Sequence, residues 1–179
     1  MRLFATLALI VSLSAAGELR VAPDFDVEPI EGRAFGFAEA VREHSAVVVV
    51  FLSVVCPYSN AHERHLVEMG EHYGPRGVLF VGVNSNRTEG AEEVAAHARK
   101  AGVTFPIVKD AGNKVADLFG ARVTPEAFLF DRNGDLRYRG RVMSKIGSND
   151  LQDALDAVLA GRKVKTPVAK AFGCTIIRE

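Results

Sequence analysis

Residues 46–59 read AVVVVFLSVVCPYS and combine an apolar run, a break, and a cysteine followed by proline. The run from Ala46 to Leu52 contains four consecutive valines and has the length and composition of a buried central strand. Pro57 suits the first turn of a helix, and apolar residues at helical spacing follow it. Cys56 therefore stands between a strand and a helix N-terminus, where the helix dipole favours the nucleophilic thiolate over the thiol.

The chain on both sides of this unit alternates apolar runs with helical patterns. Extended segments are predicted at 46–52, 78–83, 105–108, 126–130 and 136–142, and helices at 37–44, 57–73, 89–101, 113–119 and 149–159. Asn133-Gly134 predicts a hairpin turn before the last strand. Alternating strands and helices imply parallel strands with right-handed crossovers, and the hairpin adds an antiparallel strand at one edge. The predicted class is α/β, a mixed sheet with helices on both faces.

The N-terminus has the pattern of a signal peptide. Arg2 precedes an apolar run from Leu3 to Val11, and Ser14-Ala15-Ala16 offers small residues at the cleavage positions. A retained membrane anchor is the alternative, but the run is short against the roughly 20 residues of a membrane span. We expect a signal peptide at 1–16, one domain at 17–160, and a C-terminal tail at 161–179. The mature protein would be secreted or periplasmic, without stable membrane insertion after cleavage.

The charge balance excludes some partners. Removal of Arg2 lowers the 22 basic residues to 21, against 22 acidic residues, which leaves a net charge of −1. A nearly neutral chain has no basic surface of the kind that binds nucleic acid, so no nucleic-acid partner is predicted.

Three local signatures, in this order, carry a resemblance to known proteins: Ala22-Pro23-Asp24-Phe25, Cys56-Pro57-Tyr58-Ser59 and Val123-Thr124-Pro125-Glu126. Together they resemble the thioredoxin superfamily. The resemblance implies a thioredoxin-like mixed sheet, and it implies that Pro125 is cis and lies beside the active cysteine.

A narrower resemblance covers the mature chain. The stretch at 138–142, the helix pattern at 151–159 and the ending at 172–177 are similar to peroxiredoxin-like proteins of the alkyl hydroperoxide reductase/thiol-specific antioxidant (redoxin) group. This implies a thiol-dependent oxidoreductase with antioxidant character, in which Cys56 is the nucleophile. Its partners would be a thiol or disulfide protein, a small-molecule thiol, or a hydroperoxide, and no bound organic cofactor is implied.

Departures from these families decide between activities. Ser59 replaces the second cysteine of a thioredoxin CxxC pair. Ser53 holds the hydroxyl position of the peroxiredoxin motif, but Val49 stands where its proline would be. Pro125 occupies the place of the peroxide-activating arginine. Thiol-disulfide exchange is therefore favoured, and a true thiol peroxidase is the alternative.

The candidate site consists of two cysteines and five supporting residues. Helical N–H groups, including that of Ser59, would stabilise the Cys56 thiolate, and Pro57 would start the helix. Ser53, Thr124 and Pro125 are predicted with them as substrate-binding residues, the backbone of Thr124 being free to pair with an extended substrate.

The second cysteine leaves two interpretations open. Cys174 lies 118 residues after Cys56, on a tail for which no secondary structure is predicted. It is a candidate resolving thiol that attacks an oxidised or mixed-disulfide form of Cys56. Alternatively, it is a lone packed thiol or part of a static bridge.

A third class of function is a non-catalytic module that binds copper or a client protein. His62, His65 and Met69 fall at spacings that can share a helix face near Cys56. A solvated helix with scattered histidines explains the same pattern, so no metal ligands are predicted.

Overall fold

The computed structural model describes residues 19–144 and 149–179, so the predicted signal peptide lies outside the described residues. In chain order the described strands are β1 (Asp26–Val27), β2 (Phe35–Gly36), β3 (Ala46–Phe51), β4 (Val78–Asn84), β5 (Ile107–Lys109), β6 (Val123–Thr124), β7 (Glu126–Asp131), β8 (Leu136–Gly140) and β9 (Cys174–Thr175). The described α-helices are α1 (Phe37–Glu43), α2 (Pro57–Tyr73), α3 (Ala91–Ala101), α4 (Lys114–Phe119) and α5 (Asp150–Leu159).

A five-stranded sheet forms the centre of the molecule, in the order β5-β4-β3-β7-β8. Strands β3 and β4 are parallel, with Ala46 opposite Val78, and β4 is parallel to β5. Strand β7 runs antiparallel to β3, and β8 antiparallel to β7 at the edge. The mixed sheet and its antiparallel edge strand confirm the predicted topology.

The valines of β3 alternate between two hydrophobic cores, as side chains of a strand must. Val48 and Val50 pack on one face with apolar residues of α2 and α5. Val47 and Val49 pack on the other with residues of α1 and α4. Helices therefore cover both faces, and the run of valines is continuous because neither face meets water.

Several parts of the chain differ from the sequence predictions. Strand β5 lies at Ile107–Lys109 where 105–108 was predicted, and α3 begins at Ala91 where the predicted helix began at 89. Strand β6 and the antiparallel pair β1 and β2 fall where no strand was predicted. Strand β8 ends at Gly140, where the prediction extended it to Val142. The C-terminal tail was predicted to have no secondary structure, which is wrong, because it contains β9, paired with β6.

Contacts along its whole length hold the tail to the domain. Ala169 donates its N–H to the carbonyl of Arg139 (2.9 Å), and Ile176 donates to that of Arg122 (3.0 Å). The side chain of Ile176 is buried in the core that contains α1 and α4. The tail strand thus depends on distant partners and not on the local propensity of its residues.

No helix among residues 19–144 and 149–179 is long and apolar enough to cross a membrane.

Candidate active site

Cys56 caps the N-terminus of α2, as the sequence predicts. Its backbone is extended (φ −83°, ψ 115°), Pro57 occupies the first helical turn, and the Cys56 carbonyl accepts the N–H of Asn60 (3.0 Å). The cysteine is 0% exposed. A thiol at this position faces the unpaired N–H groups of the first helical turn.

The peptide bond between Thr124 and Pro125 is cis, which confirms the prediction. Both residues are buried; Thr124 is the last residue of β6, and Pro125 separates β6 from β7. The Cys56 thiol donates a hydrogen bond to the Thr124 carbonyl oxygen, with 3.1 Å between sulfur and oxygen. The threonine–proline pair and the cysteine, distant in sequence, are thus brought into direct contact.

The C-terminal tail occupies the backbone of Thr124. Strand β9 pairs antiparallel with β6 and sets Cys174 opposite Thr124. Gly173 permits this approach, because a Cβ atom built there would lie 1.8 Å from the Thr124 carbonyl oxygen. The sequence prediction left that backbone free for substrate, whereas in this structure the chain's own terminus uses it.

The two sulfurs influence each other's ionisation. Burial raises the pKa of the Cys56 thiol, but hydrogen bonds from the Cys174 thiol, the Thr124 side chain, and the N–H groups of Ser59 and Cys174 outweigh it and lower that pKa to about 7. The hydrogen bond with Cys56 is the main cause that raises the pKa of Cys174 to about 11. Neither cysteine is in a disulfide. Near neutral pH Cys56 is therefore a mixture of thiol and thiolate, while Cys174 remains a thiol.

The two serines face inward. Ser59 accepts the N–H of Ser53 at its hydroxyl (3.3 Å) and directs its own N–H at Cys56. Ser53 donates its hydroxyl to the carboxylate of Glu89 (2.6 Å) and is itself buried. Ser53 was predicted to bind substrate, and in this structure its hydroxyl contacts Glu89 and fixes the loop before Cys56.

The sequence analysis assigned no role to the polar group behind this loop, which comprises Asn84, Asn86 and Glu89. All three are buried, and both asparagine side chains donate to Glu89. The available signal was their position, directly after the buried strand β4, where the carboxyl ends of parallel strands gather functional side chains.

The metal-binding alternative finds no ligand set in the described chain. Among residues 19–144 and 149–179, no group of three or more histidine, cysteine, aspartate or glutamate side chains is placed to hold a metal ion. Met69 packs in the core between α2 and the sheet, and His62 directs Nδ1 at the Tyr58 carbonyl (2.6 Å). The shared face that the spacing suggested is therefore divided between core and surface.

The pKa of Cys56 is expected to depend on the donor at position 174. In Cys174→Ala the sulfur loses a hydrogen bond, so we expect its pKa to rise above about 7, whereas Cys174→Ser keeps a donor and should hold it near the wild-type value. Thiolate absorbance or alkylation rate, followed against pH, measures the Cys56 pKa in both variants. Equal midpoints in the alanine and serine variants would contradict this assignment.

Comparisons with known proteins identify the family and the fold. The model of the AhpC/TSA family matches residues 19–139. The thiol-disulfide oxidoreductase ResA of Halalkalibacterium halodurans is 31% identical over 125 residues, covering 70% of this chain and 68% of that protein.

Two solved structures extend the comparison to the fold. A hypothetical protein from Sinorhizobium meliloti 1021 superimposes with a TM-score of 0.82 at 32% identity, covering 93% of this chain and 97% of that one. A thiol:disulfide interchange protein of the thioredoxin family from Chlorobium tepidum TLS superimposes with a TM-score of 0.65 at 19% identity. The alignment covers 81% of this chain and 99% of that one. The fold is thioredoxin-like, and the chain belongs to the AhpC/TSA family.

Proposed function

We propose that this protein is an exported thiol-disulfide oxidoreductase in which Cys56 is the nucleophile and Cys174 the resolving thiol. The observation that carries the proposal is the pairing of β9 with β6. It sets Cys174 opposite Thr124, whose carbonyl oxygen accepts the hydrogen bond of the Cys56 thiol. The name and activity of the ResA relative support the same reaction class.

The reaction follows from the ionisation of the pair. The Cys56 thiolate attacks one sulfur of a substrate disulfide, forms a mixed disulfide and releases the other sulfur as a thiolate. Cys174 then gives its proton to the released substrate thiolate or to water and attacks the Cys56 sulfur, which releases the second substrate thiolate. The substrate gains two electrons, and Cys56 and Cys174 become a disulfide. An external dithiol, or two molecules of a small thiol, returns the pair to its reduced form.

Reaction with a protein requires the tail to move. Cys56 is buried, and the Thr124 backbone already pairs with Cys174. An incoming disulfide therefore reaches Cys56 when β9 leaves β6, and an extended substrate segment can then pair with Thr124 in its place. Return of β9 brings Cys174 to the mixed disulfide. One short strand thus serves as cover and as second reactant.

Exposed apolar side chains support a protein as the partner. Val55 and Tyr58 flank Cys56, Phe172 precedes Cys174 by two positions, and all three are exposed. Large apolar groups on both cysteine segments favour a substrate that covers them on binding. The signal-peptide pattern at 1–16 supports a secreted or periplasmic location, where disulfide substrates occur.

Mass spectrometry under non-reducing conditions tests the proposal. Oxidation of the reduced wild type by a small disulfide should remove two hydrogens and link Cys56 to Cys174 within one chain. Cys174→Ser should stop at a mixed disulfide on Cys56, because no second thiol attacks it. A wild-type product that carries a stable adduct on Cys56, with Cys174 still reduced, would refute the resolving role.

A further inference from the structure

Glu89 is a buried carboxylate at the back of the site, only 1% exposed. It accepts hydrogen bonds from the Ser53 hydroxyl (2.6 Å), the Val54 N–H (2.9 Å), and the amides of Asn84 (2.6 Å) and Asn86 (2.7 Å). Two bonds reach each oxygen of the carboxylate. None of the four partners is a charged group, so the carboxylate is held by dipoles of the surrounding structure.

The bonds keep this carboxylate ionised despite its burial. Burial raises the pKa of Glu89, but the four hydrogen bonds outweigh it and lower that pKa below its ordinary value. Lys109 donates a hydrogen bond from its ammonium group to the Asn84 side-chain oxygen (2.9 Å). Its positive charge is therefore separated from the Glu89 carboxylate by the Asn84 side chain. Burying a carboxylate is unfavourable unless every lone pair is used, which makes the geometry of its partners stringent.

One arm of this network holds the segment that leads to Cys56. Ser53 and Val54 form the loop between β3 and α2, and the Cys56 N–H points back at the Ser53 carbonyl (3.4 Å). Glu89 therefore fixes the backbone at Ser53 and Val54, two and three residues before the nucleophile.

The other arm holds the segment that carries Cys174. Asn86, while donating to Glu89, accepts the N–H of Ile177 at its side-chain oxygen (2.8 Å). The neighbouring Arg87 donates its N–H to the Ile177 carbonyl (3.0 Å). Ile177 lies three residues after Cys174, so the same network fixes the position of the tail.

We propose that Glu89 is a positioning residue that sets the approach of Cys174 to Cys56 by binding the loop of one and, through Asn86, the tail of the other. The inference rests on the proposed function, since it concerns the step in which Cys174 resolves the mixed disulfide. Glu89 transfers no proton in that step, because its oxygens are fully engaged. Its effect is on the geometry of attack, to which exchange between two sulfurs is sensitive.

The test is the rate at which Cys174 resolves a mixed disulfide preformed on Cys56 with a small aromatic thiol, whose release is followed by absorbance. In Glu89→Gln, the amide N–H₂ faces groups that are themselves donors, so hydrogen bonds to it are lost. The loop before Cys56 and the tail after Cys174 are then both held less firmly. We expect resolution to slow by about tenfold or more in protein whose circular dichroism is that of the folded wild type.

Asp131→Asn is the matched control. Asp131 is also a buried carboxylate, 7% exposed, and accepts from the Asn133 N–H (2.9 Å) and from Arg137 (2.7 Å). It lies opposite Ala46, at the end of the sheet away from Cys56. We expect this variant to lose stability while its resolution rate stays that of the wild type.

A second variant and the control keep the proposal open to refutation. If Glu89→Gln does not fold, Asn86→Ala removes the side-chain contact to Ile177 and one of the four bonds to Glu89, leaves the bonds from Ser53 and Val54 in place, and should slow resolution by itself. A wild-type rate of resolution in Glu89→Gln, or in Asn86→Ala where that variant replaces it, overturns the positioning role of Glu89. Equal slowing of resolution in Asp131→Asn overturns it too. If the wild type itself never forms the Cys56–Cys174 disulfide, the proposed function fails and not this inference alone.

Discussion

The Cys56→Ser protein is expected to fold normally and to turn over a disulfide substrate at least about 10³-fold more slowly than the wild type. Serine has nearly the shape of cysteine and fits the same buried site, but its hydroxyl is a weak nucleophile at neutral pH. Turnover of a small chromogenic disulfide with excess external thiol measures the loss. Thermal unfolding of the reduced proteins verifies that the fold survives.

Cys174→Ser provides the matched comparison for that loss. It removes one thiol from the same site but leaves the nucleophile, so it should form one adduct rapidly and then turn over slowly. Cys56→Ser should form no adduct at all. Turnover by Cys56→Ser at the wild-type rate would end the assignment of Cys56, whatever the behaviour of Cys174. Hydrogen peroxide, tried in parallel, should oxidise the Cys56 thiolate no faster than the thiolate of free cysteine.

Gly173→Ala is expected to detach the tail strand with a single methyl group. The added Cβ would lie 1.8 Å from the Thr124 carbonyl oxygen, and both are backbone-fixed, so β9 must move away from β6. Because misplacement by about 1 Å can cost reactions about 10²-fold, formation of the Cys56–Cys174 disulfide should slow by about tenfold or more. The rate of loss of free thiols after addition of a small disulfide, with mass analysis of the product, measures this change.

A glycine elsewhere controls for the substitution itself. Gly74 has right-handed helical backbone (φ −51°, ψ −51°) at the end of α2, and a Cβ there would meet nothing within 4 Å. Gly74→Ala should therefore leave disulfide formation unchanged. Wild-type kinetics in Gly173→Ala would mean that the strand pairing is not needed to bring the two sulfurs together.

The local signals in the chain were sufficient for the sheet and for the place of the nucleophile. The valines from Val47 to Val50 indicate a strand buried on both faces, and the helix that follows begins at Pro57 as predicted. These features depend on neighbouring residues, which is why the sequence reveals them. The contact between Cys56 and Thr124 came instead from the family resemblance, because no periodicity predicts a cis proline.

The features that depend on distant partners could not be predicted in this way. Strand β9 consists of Cys174 and Thr175, and it exists because β6 offers an unpaired backbone edge. Glu89 lies within a polar stretch that looks solvent-exposed in the sequence, yet it is buried because Ser53 and Val54 supply donors from 36 and 35 residues away. Glu126 is likewise buried because a distant partner, Arg139, pairs with it.

The separation of the two cysteines in the sequence imposes an order on biosynthesis. The ribosome adds Cys174 118 residues after Cys56, which is roughly 6–24 s at 5–20 residues per second. During this interval the nascent chain contains Cys56 without the strand that later covers it and without the Cys174 donor that later lowers its pKa. Foreign disulfides encountered in that time would leave adducts on Cys56, which Cys174 removes once it has been added and β9 has formed.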